Sequence, residues 1–145
     1  NNYPFRLNCM NKNTHKVKEF YEKSTEVYFN VTGGYIHGYA SSEGFNLGKH
    51  LADKLINDKD YILDAGCGMG KLSIDIAQNT SETKIQGITI SPVQVSIANR
   101  LIQEAKLSDR IIIQTADFHH LNDLFKNETF NVIIFNESLF HSKKT

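Results

Sequence analysis

The sequence has no tryptophan, only two cysteines and two prolines, and no excess of either charge. Two cysteines, Cys9 and Cys67, are too few for a disulfide framework or a thiolate-bound metal. With sixteen basic and sixteen acidic side chains, the chain has no net positive field to hold a polyanion, so we expect no nucleic-acid partner. The 40% apolar content over 145 residues predicts one globular domain.

Long apolar runs are also absent. No segment reaches the roughly 18 to 20 uninterrupted apolar residues that a membrane-spanning helix needs, and the N-terminus lacks the pattern of a secretory signal peptide. We therefore expect a cytoplasmic protein without stable membrane insertion.

The hydrophobic periodicity predicts an α/β fold. After Asp58, short β-branched runs alternate with helical periods, which is typical of a parallel sheet with helices on both faces. The predicted strands are 61–63, 85–88, 111–113 and 132–135, and the predicted crossover helices are 72–77 and 93–106. Because open parallel sheets usually have five or more strands, we expect a doubly wound sheet that is either truncated after its fourth strand or unusually small.

The N-terminal part is predicted to be helical. Apolar residues recur at helical spacing over residues 14–30, and Gly33 and Gly34 end that period. A second helical period places Leu47, Leu51, Leu55 and Ile56 on one side. We therefore divide one structural domain into N-terminal arm and helices, 1–57, and core, 58–145.

One predicted helix has a clear start. Ser91 is its N-cap, Pro92 is its first helical residue, and Gln94 has the spacing of the return half of a capping box.

A glycine-rich turn lies between the first predicted strand and the first crossover helix. Its sequence is Asp64-Ala65-Gly66-Cys67-Gly68-Met69-Gly70. Ligands of such sheets bind at the carboxyl ends of the strands, and glycines let the backbone turn and approach a ligand closely. The G-x-G-x-G spacing differs from the dinucleotide G-x-G-x-x-G pattern, and an acid two residues before Gly66 suits a cationic ligand better than a pyrophosphate. The alternative is a tight turn with a solvated Asp64.

The segment 61–70 resembles motif I of class I S-adenosylmethionine-dependent methyltransferases. The resemblance implies a Rossmann-like fold, S-adenosylmethionine as the cofactor and a small-molecule substrate. It also implies that Asp64, Gly66 and Gly68 bind the cofactor.

A second segment narrows the resemblance. Where most of the family has an acid that binds the ribose, residues 87–94 read Gly-Ile-Thr-Ile-Ser-Pro-Val-Gln. This is similar to the cyclopropane-fatty-acid, sterol and prenyl-diphosphate C-methyltransferases, and it implies that Thr89, Ile90 and Gln94 bind the cofactor. A nicotinamide-dependent oxidoreductase is disfavoured, since Thr89 replaces the acid and Gly70 breaks the wider glycine spacing.

Four further positions match cofactor-binding places of the same family. By that resemblance Asp117 bonds the adenine amino group, Phe118 packs on the ring, Asn136 lies where the methyl group points, and Tyr35 belongs to an N-terminal capping segment.

The catalytic candidates are Glu137 and His141. If the acceptor is an alkene carbon, attack leaves a carbocation and a base must then remove a proton; Glu137 is our candidate, against the alternative of a solvated carboxylate. His141 is either a second base or a surface residue. Phe140-His141 stands where cyclopropane-type enzymes have a Glu-His pair, which disfavours cyclopropanation, and residues 136–138 with 97–100 are more similar to geranyl-diphosphate-type C-methyltransferases.

Other functions stay open at this point. They are C-methylation of a sterol, a tocopherol or another small molecule, methylation of oxygen or nitrogen in a small molecule, and a methyltransferase-like domain that binds the cofactor without turnover.

Overall fold

A computed structural model of the chain describes residues 12–32, 44–126, 129–136 and 138–139. The five α-helices of this part are α1 (Lys12–Thr32), α2 (Leu47–Lys54), α3 (Lys71–Gln78), α4 (Pro92–Glu104) and α5 (Leu121–Leu124). The four strands are β1 (Tyr61–Ala65), β2 (Lys84–Thr89), β3 (Ile111–Thr115) and β4 (Val132–Ile134), and a short 3-10 turn, Phe118–His120, follows β3.

The strands form one parallel sheet with the order β3-β2-β1-β4. The chain therefore moves outward from β1 to β3 and then returns to the other side of β1. The point where the direction reverses lies between β1 and β4, and a crevice opens there at the carboxyl ends of the strands. The predicted doubly wound α/β fold, Rossmann-like and with four strands, is confirmed.

Helices cover the two faces of the sheet unequally. On the first face, α2, α3 and α4 pack on apolar residues of every strand, among them Ile62, Ile85 and Ile111. On the second face, the 3-10 turn and α5 pack near Leu63 and Ile88. The apolar surface that these contacts remove from water stabilises the sheet.

Part of the second face is open to solvent. Ile112 on β3 and Ile133 on β4 point to this face and are 62% and 51% exposed. Between them the amide of Gln86 is buried, and its Nε2 donates to the carbonyls of Gly87 and Ile112. Among the described residues of the connection from β3 to β4, the 3-10 turn and the single helical turn of α5 are the helical elements.

The prediction that Leu55 lies on the apolar side of the second helix was wrong. Helix α2 ends at Lys54, and the N–H groups of Leu55 and Ile56 both donate to the carbonyl of Leu51. This tight ending turns Leu55 outward into solvent, whereas Ile56 packs on the core.

The predicted start of α4 is half correct. Ser91 is the N-cap, and its Oγ accepts from the N–H of Gln94 at 3.3 Å. The return bond predicted for Gln94 does not form, because the N–H of Ser91 donates to Oγ1 of Thr89 at 3.3 Å. The side chain of Gln94 is therefore available for other contacts.

Arg110 fixes the amino end of the sheet. Its guanidinium donates to the carbonyls of Ala77, Thr80 and Thr83 and to the hydroxyl of Thr80. The side chain thus joins the C-terminal end of α3 to the start of β2. None of the helices described is both long and apolar enough to cross a bilayer.

Candidate cofactor site

The glycine turn after β1 has a backbone that side chains would disturb. Gly66, Gly68 and Gly70 have φ values of 88°, 57° and 75°, which L-residues with a Cβ rarely adopt. A Cβ on Gly66 would lie 2.4 Å from Cβ of Ser138, and one on Gly70 would lie 2.5 Å from Cδ1 of Ile113. The turn therefore needs glycine both for its conformation and for the space around it.

One amide of this turn, that of Gly68, is both unpaired among the described residues and partly exposed, whereas Met69 is fully buried. The N–H groups of Gly66 and Cys67 both donate to the carbonyl of Ile88, and that of Gly70 donates to Cys67, each at 2.9 Å. Within the residues that the structure describes, the N–H groups of Gly68 and Met69 have no acceptor. They directly precede α3, where the helix dipole favours an anionic ligand group.

Asp64 is buried beneath the turn. Its Oδ2 accepts the hydroxyl proton of Ser73 on α3 at 2.7 Å. Burial raises the pKa of Asp64 to about 6, although the bond from Ser73 acts in the opposite direction. The alternative of a solvated Asp64 was therefore wrong, and the carboxyl keeps its proton to a higher pH than an exposed aspartate does.

Cys67 is a packing residue of the turn. Burial, together with the nearby Asp64, raises the pKa of its thiol well above the ordinary value. A Cβ on Gly87 would lie 3.0 Å from the Cys67 sulfur, so the sulfur packs directly against Gly87 of β2. The raised pKa keeps the thiol neutral in this position.

Thr89 and Gln94 lie together at the carboxyl end of β2. The hydroxyl of Thr89 donates to Oε1 of Gln94 at 2.6 Å. Nε2 of Gln94 in turn donates to Oγ1 of Thr25 on α1 at 3.4 Å. Thr25 was missed by the sequence analysis, because its helical position does not indicate which distant side chain it meets.

Asp117 and Phe118 lie at the carboxyl end of β3. Asp117 caps the 3-10 turn, since its Oδ1 accepts from the backbone N–H of His119 at 2.9 Å and lies 2.6 Å from the Nδ1 of that residue. The ring of Phe118 meets Phe135 edge to face at 5.8 Å. Both side chains are half-buried, as is Ile90 after β2. Their contacts with the cofactor stay predictions.

The segment after β4 is fixed to the glycine turn. The buried hydroxyl of Ser138 donates to the carbonyl of Ala65 at 2.6 Å, and its Cβ lies where a Gly66 side chain would stand. Asn136 is half-buried at the end of β4. Ser138 was noted for its position in the sequence, but its bond to β1 was not predicted.

Three candidates, Tyr35, Glu137 and His141, lie outside the described residues. The predicted roles of these residues stay predictions. The described candidates Asp64, Gly66, Gly68, Thr89, Ile90, Gln94, Asp117, Phe118 and Asn136 all belong to β1, β2, β3 and β4 or to the segments that follow them. Because the strands are parallel, the ends of all four face one edge of the sheet.

Similarity to known proteins agrees with this arrangement. Residues 56–145 match the family described as "Methyltransferase domain". The chain is 36% identical over 84 residues to the sterol 4-C-methyltransferase strm-1 of Caenorhabditis elegans, an alignment with 57% of this chain and 24% of that protein. It is 30% identical over 136 residues to the O-methyltransferase resE of Aspergillus sclerotiorum, with 86% of this chain and 50% of that protein covered.

The fold is similar to that of the solved [4+2]-cyclase SpnF. The TM-score is 0.58 and the identity 30%, with 70% of this chain and 41% of the other covered. The chain thus spans no more than half the length of these relatives.

The residues of the turn fit the cofactor of this family. The partly exposed, unpaired amide of Gly68 suits a carboxylate, and the glycines of the turn let a ligand approach the backbone. With a parallel sheet of the matching order and a family match over residues 56–145, the chain belongs to the class I methyltransferases, whose cofactor is S-adenosylmethionine.

Proposed function

We propose that the protein transfers a methyl group from S-adenosylmethionine to a carbon atom of a small, largely apolar acceptor. The observation that carries this proposal is the glycine turn at the point where the strand order reverses, with the partly exposed, unpaired amide of Gly68 and the buried carboxyl of Asp64 beside it.

The charges of the turn suit this cofactor. Its amino-acid end has a carboxylate, which the amide of Gly68 can bind, and its ammonium and sulfonium groups are cationic. An ionised Asp64 provides the complementary negative charge through a medium of low dielectric constant. When bound, the cofactor supplies an activated methyl group, and the chain's contribution is to align it with the acceptor and to exclude water.

A carbon acceptor is supported by one relative, since the nematode protein is named as a sterol C-methyltransferase. The resemblance of residues 87–94 to the sterol and prenyl-diphosphate C-methyltransferases supports the same acceptor type. A prenyl diphosphate or a similar alkene therefore fits best as the acceptor class.

Proton removal is assigned to Glu137 in this proposal. Glu137 directly precedes Ser138 in the sequence, and the bond from Ser138 to the carbonyl of Ala65 at the end of β1 supports this assignment. His141 is the second candidate base. An acceptor of another kind, an oxygen or nitrogen of a small molecule, is supported by the similarity to the fungal O-methyltransferase.

A cofactor-binding protein without methyl transfer is a further candidate, because the chain is similar to a structure named as a cyclase.

Two experiments separate these functions, the first a test of cofactor binding and the second a test of methyl transfer. The thermal unfolding of the chain is measured with S-adenosylhomocysteine and, as a control, with a nicotinamide dinucleotide. A ligand at about 100 times its dissociation constant stabilises by roughly 2.7 kcal/mol, so we expect a higher Tm with the first compound alone.

Methyl transfer is then tested with isotope-labelled cofactor and a panel of prenyl diphosphates, sterols and phenols. Mass spectrometry of the products shows whether carbon or oxygen receives the label. Label on a phenol oxygen alone would contradict carbon methylation, and binding without any labelled product would favour the protein that does not transfer the methyl group.

A further inference from the structure

A buried chain of hydrogen bonds joins the N-terminal helix to the carboxyl end of β2. Thr25 on α1 is 0% exposed and Gln94 on α4 is 2% exposed. Through these two side chains, α1 reaches Thr89 without any solvent between them. This contact connects a helix outside the family match to a predicted cofactor-binding residue.

Helix α1 determines which group donates in the hydrogen bond between Thr25 and Gln94. The hydroxyl of Thr25 donates its only proton to the carbonyl of Tyr21 at 2.5 Å. Toward Gln94 it therefore offers lone pairs alone, and only the NH2 group of an amide can complete that bond. Thr25 thus turns Nε2 of Gln94 toward α1 and Oε1 toward β2.

The orientation of Gln94 in turn determines which group donates in its hydrogen bond with Thr89 on β2. Because Oε1 of Gln94 faces Thr89 at 2.6 Å, the hydroxyl of Thr89 must donate to it. Its oxygen also accepts from the N–H of Ser91. With its proton committed, Thr89 can offer a ligand only a lone pair, which is what a carboxylate would offer in the same place.

The end of the second strand beside a glycine turn is where sheets of this kind accept hydrogen bonds from ribose hydroxyls. We propose that Thr25 is a positioning residue for the cofactor: it orients Gln94 so that Thr89 acts solely as an acceptor for a ribose hydroxyl. The inference rests on the proposed function, since it requires a nucleoside cofactor at this edge.

The test compares Thr25→Val, which keeps the shape but removes the hydroxyl, with Thr25→Ser, which restores it. Ser24→Ala is the matched control, because the Ser24 hydroxyl makes the same kind of bond to the carbonyl four residues earlier, at 2.7 Å from Phe20, without reaching Gln94. Calorimetry gives the Kd of each variant for S-adenosylhomocysteine and for an analogue that lacks both ribose hydroxyls.

We expect Thr25→Val to bind S-adenosylhomocysteine about tenfold more weakly than the native chain. The same variant should bind the analogue about as well as the native chain does, while Thr25→Ser and Ser24→Ala keep native affinities. Far-ultraviolet circular dichroism of every variant shows whether α1 remains folded.

Equal losses for both ligands in Thr25→Val would overturn the inference, since a purely structural role weakens both. Native affinity in Thr25→Val would also overturn it. If the native chain binds neither ligand, the proposed function itself fails, so the two failures are distinguishable.

Discussion

Ser73 and Asp64 form a buried pair in which the hydroxyl of α3 donates to the carboxyl of β1 at 2.7 Å. The pair lies directly under the glycine turn that binds the cofactor in this family. Because burial dominates over this bond, the carboxyl has a raised pKa of about 6 in the folded chain, against 3.8 as its ordinary value.

This difference makes stability depend on pH. Between about pH 3.8 and pH 6 the folded chain binds the proton more tightly than the unfolded chain, so the contribution of Asp64 to the free energy of unfolding falls as pH rises through this window. The full loss is about 3 kcal/mol. Urea unfolding at both ends of the window should show a weaker fall for Asp64→Asn than for the native chain. If the free energy of unfolding falls by the same amount between the two pH values in both proteins, Asp64 is not the group responsible for the fall.

Gly66→Ala should destabilise the chain by about 3 kcal/mol or more. The backbone φ of 88° at this position is unfavourable for alanine, and the added Cβ would collide with Ser138. Gly44→Ala is the matched control, with a φ of 96° and nothing within 4 Å of its Cβ. We expect it to cost only about 1 to 2 kcal/mol. Chemical unfolding of both variants measures the difference, and equal costs would show that the Ser138 contact is unimportant.

Arg110→Met should lower the free energy of unfolding by about 2 to 3 kcal/mol, because three backbone carbonyls lose their charged donor. Arg100→Met serves as the control. Arg100 is exposed, 4.0 Å from Glu104 and 5.8 Å from the ring centroid of Phe29, and its loss should cost under about 1 kcal/mol. The prediction fails if thermal or urea unfolding gives similar costs for both variants.

Asp117→Asn should weaken S-adenosylhomocysteine binding about tenfold. One carboxylate oxygen becomes an NH2 group, which cannot accept the hydrogen bond predicted from the adenine amino group. The Asn oxygen can still accept from the N–H of His119, so stability should change by less than about 0.5 kcal/mol. Asp123→Asn, an exposed carboxylate close to His120, is the control. Native affinity in the Asp117 variant would remove this residue from the site.

Glu137→Gln should slow methyl transfer about 100-fold while cofactor binding stays native, since the amide keeps the shape of the side chain but cannot take a proton. Labelled-cofactor turnover and calorimetry on the same preparation measure the two effects. Normal turnover would exclude Glu137 as the base.

Local patterns in the sequence predicted the strands and the glycine turn well. The runs around Ile62, Ile85 and Ile111 alternate with helical periods, and each became a strand of the sheet. The turn could be predicted because its glycines are close together in the sequence and each has a positive φ, which is a local property of the backbone.

Contacts between distant residues were not predictable in the same way. Thr25 and Gln94 are 69 residues apart, and Ser138 and Ala65 are 73 apart. The capping-box spacing even suggested a different partner for Gln94, because a local pattern does not register the hydroxyl of Thr89 on β2 and that of Thr25 on α1, which bond its amide. The burial of Asp64 likewise depends on α3 packing over it.

The contact of Ser138 with Gly66 also constrains how this protein can change over time. The glycine turn and Ser138 touch with no side chain of residue 66 between them, because a Cβ there would lie 2.4 Å from Cβ of Ser138. A side chain at position 66 would push on Ser138, and a larger residue at position 138 would push on the turn. Substitutions at position 138 are therefore restricted to small residues for as long as the turn keeps its present backbone.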